Sequence, residues 1–312
     1  MELAYFLPSL DKLPLFPLRH LSLENLHRSV LHEYFDRTPS VESATWFEDH
    51  LSYLDPTLRF SRLYFGNEFC EALIPTVAEF EEIAEVCRQG ELRLTLVTPM
   101  VTGEGIHKIQ KLLRAIQTNK MIIELVINDF GVLALCAGNS TVRPVLGRGL
   151  LKQTQFTRLE GVPTNGKGLS VRSWAGRHPL SSAPFLAQLA QKYGVQRVEF
   201  DLSRQGVLLP ETATAIPTSV YFPWVVLNTQ RLCPIGHSHL PTTDPIPAQP
   251  NCEFQCRSYS EVMEVTSEKG SQLLFQKGTT LFELVKPDTE VFTQLATTVN
   301  MDRIVYQPTL PF

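Results

Sequence analysis

From Arg59 onward the chain alternates short β-branched or aromatic runs with segments of helical periodicity, and this alternation restricts the fold more than any other feature. Strand-like runs are Arg62–Phe65, Leu92–Val97, Met121–Ile127, Val142–Leu146, Arg197–Phe200, Val220–Leu227, Leu273–Phe275 and Arg303–Tyr306. Most are bounded by Gly, Asn, Asp or Pro, which break pairing or turn the chain. Between them, Val77 to Arg88, Gly105 to Gln117 (behind Thr102) and Pro184 to Tyr193 (ending on Gly194) repeat apolar positions at helical spacing. Strands that alternate with helices bury both faces of a mostly parallel sheet, so the expected class is α/β: a (β/α) barrel, complete or interrupted. An open doubly wound sheet is the alternative. Residues 1–58, where Pro8, Pro14, Pro17 and Pro39 interrupt short amphipathic stretches, read as an N-terminal helical extension. Residues 59–312 read as the barrel domain, with a loop at 231–258.

Composition narrows the function classes. The 312 residues are 43% hydrophobic and 19% charged, which excludes a disordered chain. A net charge of −4 supplies no global basic field, so it does not indicate nucleic acid, although a local basic groove remains compatible with it. No segment reaches the roughly 18 apolar residues that a membrane span needs. Met1-Glu-Leu-Ala-Tyr-Phe-Leu-Pro8 lacks the basic start of a signal peptide, so the cytoplasm is the expected compartment. Thiols stay reduced there, and six cysteines read as buried residues or ligands before disulfides. Neither G-x-G-x-x-G after the first of these strands nor a P-loop pattern occurs, which sets aside the standard dinucleotide and nucleotide sites.

Cys233, Cys252 and Cys256 follow one another as C-x18-C-x3-C, around the Pro-, His-, Ser- and Thr-rich stretch from Pro234 to Pro250. Cys70 sits just past the strand Arg62–Phe65, and Cys233 follows the strand that ends at Leu227. In a parallel barrel both positions lie on the C-terminal face, where loops build sites. Four thiolates there suit a 4Fe–4S cluster or a zinc ion. His237 and His239 flank the trio as alternative zinc ligands, and Arg231 stands two residues before Cys233. Cys87 and Cys136 fall in apolar helical patterns and read as core.

Four segments carry a family resemblance: Leu63-Tyr-Phe-Gly-Asn-Glu-Phe-Cys70, Val126-Ile-Asn-Asp-Phe-Gly-Val-Leu133, Pro144-Val-Leu-Gly-Arg148 with Leu151-Lys-Gln153, and Val198-Glu-Phe-Asp-Leu-Ser-Arg204. Over roughly residues 60–260 the chain resembles the peptidase U-32 (collagenase-like) superfamily. The Tyr-x-Gly-x-x-x-Cys opening and the Cys…Cys-x3-Cys ending are similar to its UbiU/UbiV-type iron–sulfur subgroup of oxygen-independent ubiquinone hydroxylation. The resemblance implies a 4Fe–4S cluster on Cys70, Cys233, Cys252 and Cys256. It further implies insertion of a hydroxyl group into an aromatic ring or a nucleobase without O2, and a second U-32-like subunit as partner. The superfamily's peptidase signature run is absent, and so are G-x-S-x-G and H-E-x-x-H, which ranks a U-32-type peptidase last. A non-catalytic iron–sulfur subunit of a heterodimer is the other alternative.

Polar residues at the expected strand ends supply candidates for the chemistry. Arg148, Lys152 and Arg204 are expected to grip the carboxylates of a small anionic or aromatic substrate. Glu68, Asp129 and Asp201 are expected to move protons. Asp129 also stands where a cap for the following helical segment is needed, and Arg204 has Asp201 as a surface pairing alternative.

Overall fold

A computed structural model describes residues 1–13, 59–151, 183–202, 216–237, 252–267, 270–284 and 301–312. In chain order the barrel strands are β1 (Glu2–Leu7), β2 (Phe60–Gly66), β3 (Arg93–Val97), β4 (Ile123–Ile127), β5 (Val142–Leu146), β6 (Arg197–Asp201), β7 (Thr218–Phe222) and β12 (Met301–Tyr306). They close in the order β1, β12, β7, β6, β5, β4, β3, β2, every pair parallel. The described helices are α1 (Val77–Gln89), α2 (Gly103–Thr118), α3 (Phe130–Leu135), α4 (Arg148–Leu151), α5 (Ala183–Tyr193) and α6 (Pro234–His237). The remaining strands, β8 (Trp224–Thr229), β9 (Glu261–Ser267), β10 (Gly270–Lys277) and β11 (Thr280–Leu284), form an antiparallel sheet of order β8, β11, β10, β9.

The expected (β/α) barrel is therefore the fold, with three reassignments of strands. The first strand lies inside the segment read as an extension: Glu2–Leu7 pairs with β2 and β12 and closes the barrel. Its near-continuous apolar run is what a strand buried on both faces requires, and alternation gives no sign of it. The rest of the proposed extension, residues 14–58, lies outside the described residues. Conversely, the run Val220–Leu227 is two strands, because Pro223 has no N–H for the ladder and separates barrel strand β7 from sheet strand β8. Leu273–Phe275 belongs to β10 of the antiparallel sheet.

Helix packing follows sequence periodicity. In α1 the buried positions Phe80, Ile83, Ala84 and Cys87 are spaced i, i+3, i+4, i+7 and face the strands. Thr76 starts the helix as one half of a capping box, its N–H bonded to Glu79 Oε2 at 2.7 Å while its hydroxyl accepts from the Glu79 N–H at 3.2 Å. Cys87 and Cys136 are both buried in this outer core.

The barrel axis is polar where a common barrel would be aliphatic. At the N-terminal end Arg303 donates to Glu2 Oε2 at 2.6 Å and to Glu124 at 2.6 and 3.0 Å, and Arg62 reaches Glu2 at 2.9 Å and Thr95 at 3.0 Å. Burial pushes the Glu124 carboxyl up, but Arg303 and Arg62 outweigh it and hold it at about 2. One layer higher, Arg303 donates to the Tyr64 hydroxyl at 2.8 Å. The Tyr64 and Tyr221 hydroxyls then donate to the two oxygens of Glu199 at 2.8 and 2.7 Å. A small apolar ring that includes Ala4, Phe6, Val97, Val126, Val145 and Val305 surrounds this column.

Glu199 is wholly buried, with two neutral phenols and no cation as its hydrogen-bond donors. Burial pushes its carboxyl up to about 7, against the pull of the two hydroxyls. The folded chain thus binds this proton more tightly than the unfolded chain, where the value is the ordinary 4.5. The resulting stabilisation is complete below that ordinary value and is lost as pH rises through about 7. Urea unfolding of the wild type and Glu199→Gln, compared between about pH 5 and pH 8, should show the wild type losing stability relative to the variant as pH rises. A difference that does not change with pH contradicts this assignment.

Candidate functional site

The C-terminal ends of the strands carry two adjoining groups of side chains. The first is built on Arg148, which opens α4 just after β5 and is 3% exposed. Its Nε lies 3.2 Å from both oxygens of Glu68, and one Nη donates to Glu68 Oε2 at 2.6 Å. The other Nη donates to Asp201 Oδ1 at 2.6 Å and to the Trp224 carbonyl at 3.1 Å. The guanidinium also lies over the Tyr221 ring at 3.9 Å, and the Phe69 ring is 5.5 Å away. Burial opposes the charge of Arg148, but Glu68 and Asp201 outweigh it and keep the guanidinium protonated. Burial pushes both carboxyls up, against the pull of Arg148. Four of the five guanidinium N–H donors are engaged within the chain.

That arrangement revises the role expected of Arg148. Two internal carboxylates already occupy its fork, and a substrate carboxylate would meet two negative groups against one positive group. Asp129 is likewise committed, as the N-cap of α3: its carboxylate accepts from the Gly131 N–H at 2.7 Å, the Val132 N–H at 3.4 Å and the Val101 N–H at 3.3 Å. Glu68 and Asp201, by contrast, do meet at the mouth. Lys152, Arg204 and His239 lie outside the described residues.

The second group is the cysteines. Leaving β2, the chain turns at Gly66, which has a φ of +118°; a Cβ at this position would come within 2.5 Å of the Val97 carbonyl oxygen, so only glycine fits. Asn67 then pins the turn, accepting from the Phe69 and Cys70 N–H groups at 2.9 and 2.8 Å and donating to the Pro311 carbonyl at 2.9 Å. Cys70 caps the 3-10 turn Glu71–Leu73. Cys233 directly precedes α6, and its Sγ accepts from the Gly236 N–H at 3.2 Å. His237 places Nδ1 2.6 Å from the Cys233 carbonyl, so that nitrogen is engaged by backbone. Cys256 lies in the 3-10 turn Gln255–Arg257, entered through Phe254 in the left-handed region (φ 58°).

The thiols of Cys70, Cys233 and Cys256 are each raised by burial and by neighbouring cysteines. Burial pushes the Cys70 thiol up, with Cys233 and Cys252 adding to it and the Ala72 and Leu73 N–H groups opposing. Cys233 is raised by burial and by Cys252, against the Gly236 and Ile235 N–H groups. Cys256 is pushed up to about 12 by burial and by the other three, with Lys277 pulling the other way. Four thiolates in one pocket are disfavoured unless a cation joins them, and backbone N–H groups aimed at sulfur favour the thiolate form. A thiolate-bound metal or cluster fits this donor set. Among the described residues no three or more His, Cys, Asp or Glu side chains are drawn together at ligand separation.

Apolar groups seal this pocket and tie it to the mouth. Phe69, Trp224, Ile235, Cys256, Phe275, Phe282, Leu310 and Phe312 form one core, with Cys70 and Cys233 packed against it. Phe69 and Trp224 thus touch the cysteine pocket on one side and Arg148 on the other.

Three contributors escape a reading of the sequence. Arg197-Val-Glu-Phe-Asp201 alternates charged and apolar residues, which in an open sheet marks a solvent face; in a closed barrel that face is the axis, and it carries Glu199 below the already expected Asp201. Tyr221 looks like an ordinary strand aromatic until Arg148 lies over it. Gln307 follows the last strand with no motif around it, yet is fully buried, and both its side-chain polar atoms lack a hydrogen-bond partner. No family model and no curated protein matches the chain.

Replacing Arg148 by Ala leaves Glu68 and Asp201 buried and uncompensated, and the urea-unfolding free energy should fall by about 3–5 kcal/mol. Arg148→Lys should recover only part of this loss, because an ammonium cannot reproduce the planar fork. Full recovery by Lys would mean that charge alone, without geometry, holds the mouth.

Proposed function

We propose that this chain is a 4Fe–4S protein whose cluster is held by Cys70, Cys233, Cys252 and Cys256, and that it takes part in oxygen-independent hydroxylation of an aromatic or nucleobase substrate. The observation that carries the proposal is that Cys70, Cys233 and Cys256, from segments more than 150 residues apart in sequence, pack on one apolar core beside the barrel mouth, with Cys252 close enough to act on the thiols of all three. The resemblance to the UbiU/UbiV-type proteins supports the choice of cluster and of reaction class, and with it a second U-32-like subunit as partner. Zinc suits the same four thiolates and is the alternative occupant.

When bound, such a cluster supplies one-electron transfer. The chain's own residues would do the rest. Phe69, Phe282 and Phe312 belong to the apolar core on which Cys70 and Cys233 pack, and an apolar surrounding of this kind would tune the potential of a cluster held there. The Gly236 N–H, directed at Cys233 Sγ, stabilises the ligating thiolate. At the mouth, Glu68 and Asp201 are carboxyls whose protonated forms burial favours, so either can hold a proton beside a bound substrate while Arg148 fixes their positions.

Protein purified without oxygen should contain about four iron and four sulfide per chain. Alanine at Cys70, Cys233, Cys252 or Cys256 should remove the iron, while Cys87→Ala and Cys136→Ala should retain it. Stoichiometric zinc without sulfide, after anaerobic reconstitution with iron and sulfide, would replace the cluster by the zinc site. Hydroxylated product formed by anaerobic cells should disappear on deletion of the gene, and label from 18O2 in that product would refute the reaction class.

A further inference from the structure

Among the described residues at the barrel mouth, Gln307 is a side chain whose donor and acceptor both lack a hydrogen-bond partner. Gln307 continues the inward series of the last strand. Arg303 reaches Tyr64 on the axis, and Val305 packs in the axial ring with Tyr64 and Tyr221. Tyr306 faces the other way, against Phe60 and Phe222 in the outer core. The Gln307 N–H bonds the Phe222 carbonyl at 2.7 Å, so the ladder extends through this residue. By strand alternation its side chain points to the axis one step above Val305, the level of Asp201 on β6. It is 0% exposed, and neither its amide nitrogen nor its amide oxygen has a partner. Orphaning a buried donor and a buried acceptor together is costly, and native chains keep such groups where something else completes them.

The charges around it restrict what completes it. Glu68 and Asp201 set two carboxyls against the single guanidinium of Arg148, and Glu199 adds a third carboxyl below. Arg148 has one N–H left, so no fork remains for an anion. A carboxylate finds no open guanidinium fork here, and it has no donor to offer the Gln307 oxygen.

We propose that Gln307 is the recognition residue of the mouth, and that it reads a neutral ligand edge with a donor beside an acceptor, a carboxamide or lactam. The two amides would exchange reciprocal N–H···O bonds, which satisfies both orphaned atoms at once. The inference rests on the mouth as the place where the proposed substrate is held, and it replaces the small anion expected from the sequence by a neutral amide-like group.

The probes are benzamide, benzoate and benzamidine, which share a ring and differ in the charge and donors of one substituent. Thermal unfolding of the full chain, purified without oxygen, should shift up by about 2–3 °C with benzamide at about ten times its Kd. Benzoate should give no shift, and benzamidine less than benzamide. Gln307→Met has the same length without the orphaned amide, so it should melt at or above the wild-type temperature and lose the benzamide shift. Gln307→Leu serves as a second variant should Met repack. A benzamide shift that survives both substitutions overturns the proposal. So does a shift from benzoate or benzamidine as large as that from benzamide, or no shift from any probe up to millimolar concentrations. Iron and sulfide contents of the same samples report on the cluster separately: a benzamide shift without iron removes the cluster reading alone, and iron without the shift removes this inference alone.

Discussion

A single guanidinium fastens the mouth of this barrel. Arg148 stands after β5, Glu68 after β2, Asp201 ends β6 and Trp224 opens β8, so the hydrogen bonds of one side chain tie together segments far apart along the chain. The seam between β5 and β6 is held by only two residue pairs, and Arg148 spans it directly through Asp201. Taking an arginine and two acids out of water is expensive, and the geometry recovers that cost only because every partner is in place. Stacking on Tyr221 adds on the order of 2 kcal/mol for a desolvated guanidinium. The same bonds that fasten the mouth set one guanidinium against two carboxyls that burial pushes up.

Below the mouth, polar contacts run the length of the axis, from Glu2 and Glu124 through Arg303, Tyr64, Glu199 and Tyr221 to Arg148. Buried networks of this kind specify one arrangement, because a slip by one residue on any strand leaves several charges without partners. The closing pair of strands shows this most clearly: Glu2 and Arg303 are register partners as well as an ion pair, so the hydrogen-bond ladder and the electrostatics demand the same alignment of the first and last strands. Glu199 is the exception within the column, since neutral hydroxyls alone bind it, and it carries the pH sensitivity for that reason.

The cysteine pocket depends on the same frame. Gly66 and Asn67 turn the chain from β2 so that Glu68 points to Arg148 while Cys70, two residues on, caps a turn within the field of Cys233 and Cys252. The segment after β12 closes the other side, where Pro311 is held by Asn67 and Phe312 stacks on Phe69. Phe69 and Trp224 thus pack in the same apolar core as Cys256 and also contact Arg148 of the mouth.

Much of this is legible in the sequence. Alternating strand and helix patterns specify the α/β barrel, because parallel strands buried by helices on one face and by each other on the axis have a recognisable composition. The position of Cys70 after β2 places it on the C-terminal face, and helical periodicity places Cys87 and Cys136 in the core; Cys233 follows β8 of the antiparallel sheet and not a barrel strand, so its place is not legible from strand order. Strand β1 is not legible, because a strand buried on both faces has no alternation to detect. Nor are the roles of the charged residues. A sequence states that Arg148, Glu68 and Asp201 occur at strand ends; only closure of the barrel decides that they meet each other, that Asp129 instead caps α3, and that Gln307 faces the axis with its amide unpaired. Local pattern determines the elements because it acts over a few residues. Partnership among buried polar groups is a property of three-dimensional distance, and only the closed barrel sets that.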